Sequence, residues 1–506
     1  MSRSSFVRVV LSIVTATSVF WMIGCLGQRS YLAGRPVPPS AILERVMVAI
    51  QNPSPIATGE LQILDARYDI RNSENGTVPS FFISGYKGSL PSMILNYPEE
   101  SEGYVYGSGD GSLTAVSYAT ESATGTISGL LGLSSSVFIP SSGNYVIAAS
   151  QPAQYLTVED HVQGVTVYLN LPNVYKVEVN PSATVMLAFV QNSNYAYRVI
   201  HLQQPNGNVA PVPTFPNEAN WPKAVAPVNC QPINLPVYCV VPVLDQNGNP
   251  IQFDRPYNTI FSSDGTTGWL LNCGPECGGV QSSVSFLNMG VLNVYNFPGS
   301  TYPSPPANPA PPTEEQRIPV PGGATMALYG NNTLYVAGQE LQPPPAGASG
   351  PSLFEGFLSI LNLTSNTVTA QYPISDGTHT KMLFGDDNTL WIGSQLSESG
   401  WRTAYMPPLP SGQLNNGALT MFNLNDNSVL VEPPYGDLTG LCAILQWHKM
   451  YTAYGGQIHI YATTNQGITT STVGYTAGSE LYNGNATVQG TAYDVAYMDA
   501  ITNASD

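Results

Sequence analysis

One unit of apolar and polar positions recurs along the chain. An apolar strand leads to a turn of Ser, Asp, Asn or Gly; a second strand opens near an aromatic; a variable loop and an alternating strand follow. Residues 137–147 show the first half, with Pro140-Ser141-Ser142-Gly143-Asn144 between two apolar runs. Residues 257–271, 326–337 and 382–393 repeat it, turning at Ser262-Ser263-Asp264-Gly265, Gly330-Asn331-Asn332 and Gly385-Asp386-Asp387-Asn388. Gly and Asn suit such turns because they adopt φ > 0 cheaply. The third strand is read at 61–65, 165–170, 284–288, 358–363, 419–424 and 458–461, with weaker copies at 113–118 and 197–202. Alternation of period 2 buries one face of each.

Composition agrees with many short strands. Gly (47) and Pro (43) are abundant and oppose long helices, while 43% hydrophobic and 10% aromatic residues oppose disorder. The chain reads as all-β. Charged residues make up only 10%, and Asp+Glu (33) outnumber Lys+Arg (16), for a net charge of −17. Such a surface repels a phosphate backbone, and no basic run with interleaved aromatics offsets it, so nucleic acid is excluded as a partner.

The second strands Tyr335-Val336-Ala337-Gly338, Tyr145-Val146-Ile147-Ala148 and Trp391-Ile392-Gly393-Ser394 resemble the repeat of the YVTN-type β-propeller family. Of these second strands, only Trp269-Leu270-Leu271-Asn272 keeps the family's final Asn. The resemblance implies a single β-propeller and says little about function, since that fold hosts many roles. Second strands open near Val46, Tyr104, Tyr145, Val185, Trp269, Tyr335, Trp391 and Tyr451, which makes eight blades, or seven if the thin unit 173–202 is not one. The first unit lacks an opening strand, and 493–499 resembles an opening strand without a blade. Pairing the N- and C-terminal strands would close the ring and remove exposed edges.

Ahead of the propeller (41–506), Arg3 and Arg8 flank an apolar stretch ending Met22-Ile23-Gly24-Cys25. This reads as a signal peptide over 1–24 and resembles a bacterial lipobox, with Cys25 lipidated and 25–40 as a spacer. A plain cleaved signal and an uncleaved anchor fit the same residues. The expectation is export to the cell envelope, with the membrane reached through a lipid anchor. Cys230 with Cys239 and Cys273 with Cys277 are two local disulfide candidates, as suits an oxidising compartment, although four Cys allow three connectivities.

Chemistry is sparse. Glu159-Asp160-His161 cannot converge on one ion in extended chain, because neighbouring side chains point to opposite sides. Asp386 and Asp387 occupy a turn that other units fill with Asn or Ser. Cys273-Gly274-Pro275-Glu276-Cys277 supplies two thiolates, too few for a closed zinc shell, and one residue too many for a thioredoxin-like motif. No metal, cofactor or catalytic residue is assigned. Proline-rich insertions are read at 203–254, 297–317, 339–356 and 395–416, with further loops at 151–164 and 273–283. All but 297–317 belong to the loops after second strands or between blades, which share one face. Tyr155, His379, Trp401, Arg402 and Tyr405 are the candidate contacts there. Two functions follow: a tethered binding or scaffolding module for a protein, glycan or cell-wall ligand, or an exported hydrolase or lactonase with a metal in the central channel.

Overall fold

In the strand Arg45–Gln51, Val46, Val48 and Ile50 enter one apolar cluster while Met47 and Ala49 enter another. Successive side chains of a strand point to opposite faces, so this strand belongs to a sheet covered on both sides. The same holds around the molecule. Eight antiparallel sheets follow one another, and each pair of neighbours shares one buried apolar cluster, closing an eight-bladed β-propeller. The computed structural model describes residues 37–52, 57–71, 81–181, 185–202, 215, 217–232, 237–245, 247–289, 313–406, 416–464, 476–481 and 486–499. Cys25 and the apolar segment before it lie outside them.

Blade 1 combines Arg45–Gln51, Glu60–Asp65 and Phe81–Phe82 with the C-terminal strand Thr491–Tyr497, which takes the innermost position. Val46 pairs with Tyr497 and Val48 with Val495, so the ring is closed by its two ends. Blades 2 to 8 span 91–127, 136–170, 174–242, 256–319, 326–374, 378–431 and 438–462. All eight expected second strands occupy that position, and the thin unit 173–202 supplies the first three strands of blade 4. In blade 6, Gly330 pairs with Thr333 across Asn331 and Asn332, which have φ of 50° and 58°, as a two-residue hairpin turn requires.

Three expectations need correction. Val165–Asn170 is the outermost strand of blade 3, and its third strand is Tyr155–Asp160, so 151–164 is a turn, a strand and a second turn. Two charges at its end, Glu159 and Asp160, disguise that strand. Asp160 is nonetheless buried, because Tyr238 Oη donates to it at 2.7 Å and the Val162 and Gln163 amides at 3.0 Å each. The insertion expected between blades over 203–254 begins instead between the third and outermost strands of blade 4. It adds a fifth strand, Asn229–Gln231, pinned to Tyr238–Pro242 by the Cys230–Cys239 disulfide. Only 243–255 links blades 4 and 5. Lastly, both ends of 339–356 are strand and only 343–352 is loop, since Thr333–Gln342 and Leu353–Asn362 form one long hairpin.

Among the described residues no helix is long and apolar enough to cross a membrane. The two disulfides fit an oxidising, exported environment.

Candidate functional site

Loops after second strands and loops between blades emerge on one face, and on blades 5 to 7 they are tied together. Cys273 and Cys277 are bonded, with Cα atoms 5.6 Å apart, around the turn Gly274–Cys277. Gly274 has φ +62°, and a Cβ there would meet the Ser282 amide at 2.3 Å, so only glycine fits. The staple presents Glu276 to blade 6, where its two oxygens accept from the Gln339 backbone and side-chain amides at 3.0 Å each. Gln339 Oε1 in turn accepts from Gly377 N at 2.9 Å. One carboxylate thus ties blade 5 to blade 6 and to the blade 6–7 connection.

Asp376 makes the next link. Its oxygens accept from Gly356 N at 3.0 Å and Arg402 N at 2.6 Å, while Arg402 Nε donates to Ile374 O at 2.7 Å. Arg402 is therefore buried rather than presented to a ligand. The short helix Trp401–Tyr405 lies against the proline loop of blade 6: Trp401 Nε1 donates to Pro343 O at 2.8 Å and Tyr405 Oη to Pro351 O at 2.6 Å. Their rings meet edge-on with centroids 5.7 Å apart. Glu340 and Glu355 face each other across the hairpin of blade 6.

Burial shapes the ionisation here. It pushes Glu276 up to about 7 and Asp376 up to about 6, against the hydrogen bonds each accepts. Glu355 is raised by burial, with Arg402 opposing and Asp376 and Glu340 adding to the rise. His379 is fully buried on the innermost strand of blade 7, where burial drives it down to about 4. Its Nε2–H donates to Ser375 O at 2.9 Å, a rim hydrogen bond of the neutral ring.

Tyr155 stands apart. It lies on blade 3, opposite blade 7 in the ring, and edge-on to Tyr168 with centroids 6.2 Å apart. His161 and Glu159 meet at 3.4 Å while Asp160 points away to Tyr238, as alternation requires. Asp386 bonds His448 at 2.5 Å, tying blade 7 to blade 8. On the innermost strands, Lys381 meets Asp494 at 3.4 Å and Lys176 meets Glu178 at 3.2 Å. Among the described residues no group of three or more His, Cys, Asp or Glu converges to hold a metal ion.

Glu276, Gln339 and Asp376 were not singled out from sequence. The available signal was scarcity: with 10% charged residues, each carboxylate in a loop of this face stands out.

No protein-family model matches the chain, and no curated protein matches it. Solved structures with a similar course include a dihydro-heme d1 dehydrogenase (12% identity, TM-score 0.45, 92% of this chain and 79% of that one). Kuenenia stuttgartiensis hydrazine synthase is another (11%, 0.42, 74% and 96%). A putative 6-phosphogluconolactonase from Bacteroides uniformis is a third (12%, 0.39, 80% and 98%). Likenesses this loose say nothing about activity, and the eight-bladed ring rests on the strand pairing itself.

Proposed function

We propose that this chain is a binding or scaffolding propeller of the YVTN type, exported and held to the cell envelope by a lipid on Cys25, whose loop-rich face over blades 5 to 7 contacts a protein, glycan or cell-wall ligand. The observation that carries this reading is the stapling of that face. Glu276, Asp376 and Arg402 act as struts for backbone amides and carbonyls, and Trp401 and Tyr405 hold the proline loop. Loops already ordered before contact lose little entropy on binding, which favours affinity. Rigid aromatic loops on a fixed scaffold are where binding residues collect.

A screen of the full chain against arrayed glycans, cell-wall fragments and envelope proteins tests this, repeated with the Trp401→Ala/Tyr405→Ala variant. Binding that weakens roughly tenfold or more in the variant supports the reading. A screen in which no ligand binds the variant more weakly than the unmodified chain, or turnover of a lactone or ester by the unmodified chain, would sink it.

A further inference from the structure

The outer side of blades 3 and 4 carries a groove of about 650 Å³ that none of the above uses. Its inner wall is blade 3, where Tyr155 pairs with Asn170 and Thr157 with Tyr168 across two strands. Tyr155 and Tyr168 are 37% and 40% exposed, and their rings stand at 75° to each other. Tyr168 is anchored by its hydroxyl, which donates to Gly129 O at 3.0 Å. The outer wall is the fifth strand of blade 4, with Asn229 and Gln231 flanking the disulfide-bonded Cys230.

Three properties of this groove define its ligand. Two exposed rings inclined at 75° offer π faces to C–H groups from two directions. Asn170, Asn229, Gln231 and Thr166 line the groove, and carboxamides and hydroxyls both donate and accept, as a polyhydroxylated ligand does. None of the described lining residues is charged, so nothing there would pair with an ion. The wall is also a local addition to the fold, since blade 4 alone has a fifth strand among the described residues, and a disulfide secures it. A rigid wall lowers the cost of ordering a site. We infer that this groove binds a neutral oligosaccharide, its sugar faces stacked on Tyr155 and Tyr168 and its hydroxyls held by Asn170, Asn229 and Gln231. A peptide strand is disfavoured, because the extra strand packs against the outermost strand of blade 3, along which such a peptide would have to pair.

The site is separate from the loop face of blades 5 to 7, so the two proposals fail independently. Isothermal titration of the full chain with β-1,4-linked hexamers of glucose, N-acetylglucosamine, xylose and mannose tests it. At least one hexamer should bind saturably, and Tyr155→Ala and Tyr168→Ala should each weaken it roughly tenfold or more. Asn170→Asp and Asn229→Asp, near-isosteric but charged, should also weaken it without moving the melting temperature. Trp401→Ala/Tyr405→Ala should leave it unchanged. The inference is overturned if no hexamer binds, if neither the tyrosine nor the Asn→Asp variants affect binding, or if only the Trp401 variant does. Binding of extended peptides here, abolished by Thr166→Pro but not by Tyr168→Ala, would overturn it in favour of strand addition.

Discussion

Arg45 and Asp499, 454 positions apart, form a two-pronged ion pair: Arg45 Nε and Nη2 donate to Asp499 Oδ2 and Oδ1 at 2.9 and 2.6 Å. The Arg45 amide adds a third bond to Asp499 Oδ2 at 2.8 Å, and Nη1 reaches Glu121 of blade 2 at 3.0 Å. Burial disfavours the Arg45 charge, but the bonds to Asp499 and Glu121 outweigh it and raise the pKa. The pair bolts the N-terminal strand of blade 1 to the strand that closes the ring.

Asp499→Ala leaves a guanidinium buried with one carboxylate fewer. Removing one partner of a buried pair costs about 3–5 kcal/mol. The melting temperature should fall well below that of the unmodified chain, while Arg45→Met/Asp499→Leu should recover part of the loss. Equal melting of all three proteins would show that the pair does not hold the seam.

Truncation at residue 488 removes Thr491–Tyr497 and bares the inner edge of Arg45–Gln51. Unpaired edges recruit other chains, so the truncated protein should elute as aggregates and lose its cooperative melt. A monomeric truncation that melts cooperatively would mean that the ring closes without this strand.

Replacing Cys273 and Cys277 by Ser opens a disulfide spanning a sequence separation of 4. Loop-closure entropy is small for so short a loop, and the global melt should change little. Amide exchange over 273–283 and at Gln339 should rise, because Glu276 loses its fixed position. Non-reducing mass spectrometry checks the starting point, where free thiols at both positions would contradict the bond.

Glu432, almost fully buried beside Glu480, sits on the link between blades 7 and 8. Burial first, and then the Glu480 charge, raises it from 4.5 to about 8. The folded state therefore keeps a proton that the unfolded chain releases above about 4.5. This contribution to stability is complete below that pH and is lost as pH rises through about 8. The protein should be more resistant to urea at pH 5 than at pH 8, and Glu432→Gln should flatten that dependence by a few kcal/mol. An unchanged pH profile in the variant would exclude Glu432 as its source.

Cys25→Ser should move the protein from the membrane fraction to the soluble one, if lipid is the tether. Full retention in the membrane fraction would indicate an uncleaved apolar segment instead.

Much of the ring was legible because second strands are buried on both faces, as Val46 to Ile50 show, and so read as unbroken apolar runs between Asn- and Gly-rich turns. The closing strand was legible for the same reason: Ala492, Val495, Ala496 and Tyr497 are all buried. Local pattern failed where a distant residue supplied what a strand lacked. The third strand of blade 3 ends in Glu159-Asp160, and only Tyr238 of blade 4 makes Asp160 compatible with burial. Sequence alone therefore puts Tyr155 on a loop and gives no sign of its edge-on contact with Tyr168.

The sequence by itself determined the all-β propeller, its second strands and the closure by the two chain ends, because these depend on period and turn chemistry. The structure decided for eight blades over seven and for the nearest-neighbour cysteine pairs. Tertiary structure alone decided that Arg402 would be a buried strut, that Glu276 would reach Gln339 63 positions away, and that the insertion after blade 4's third strand would wall a groove. Such contacts are set by where rigid blades bring their loop ends. No periodicity within a segment encodes that distance.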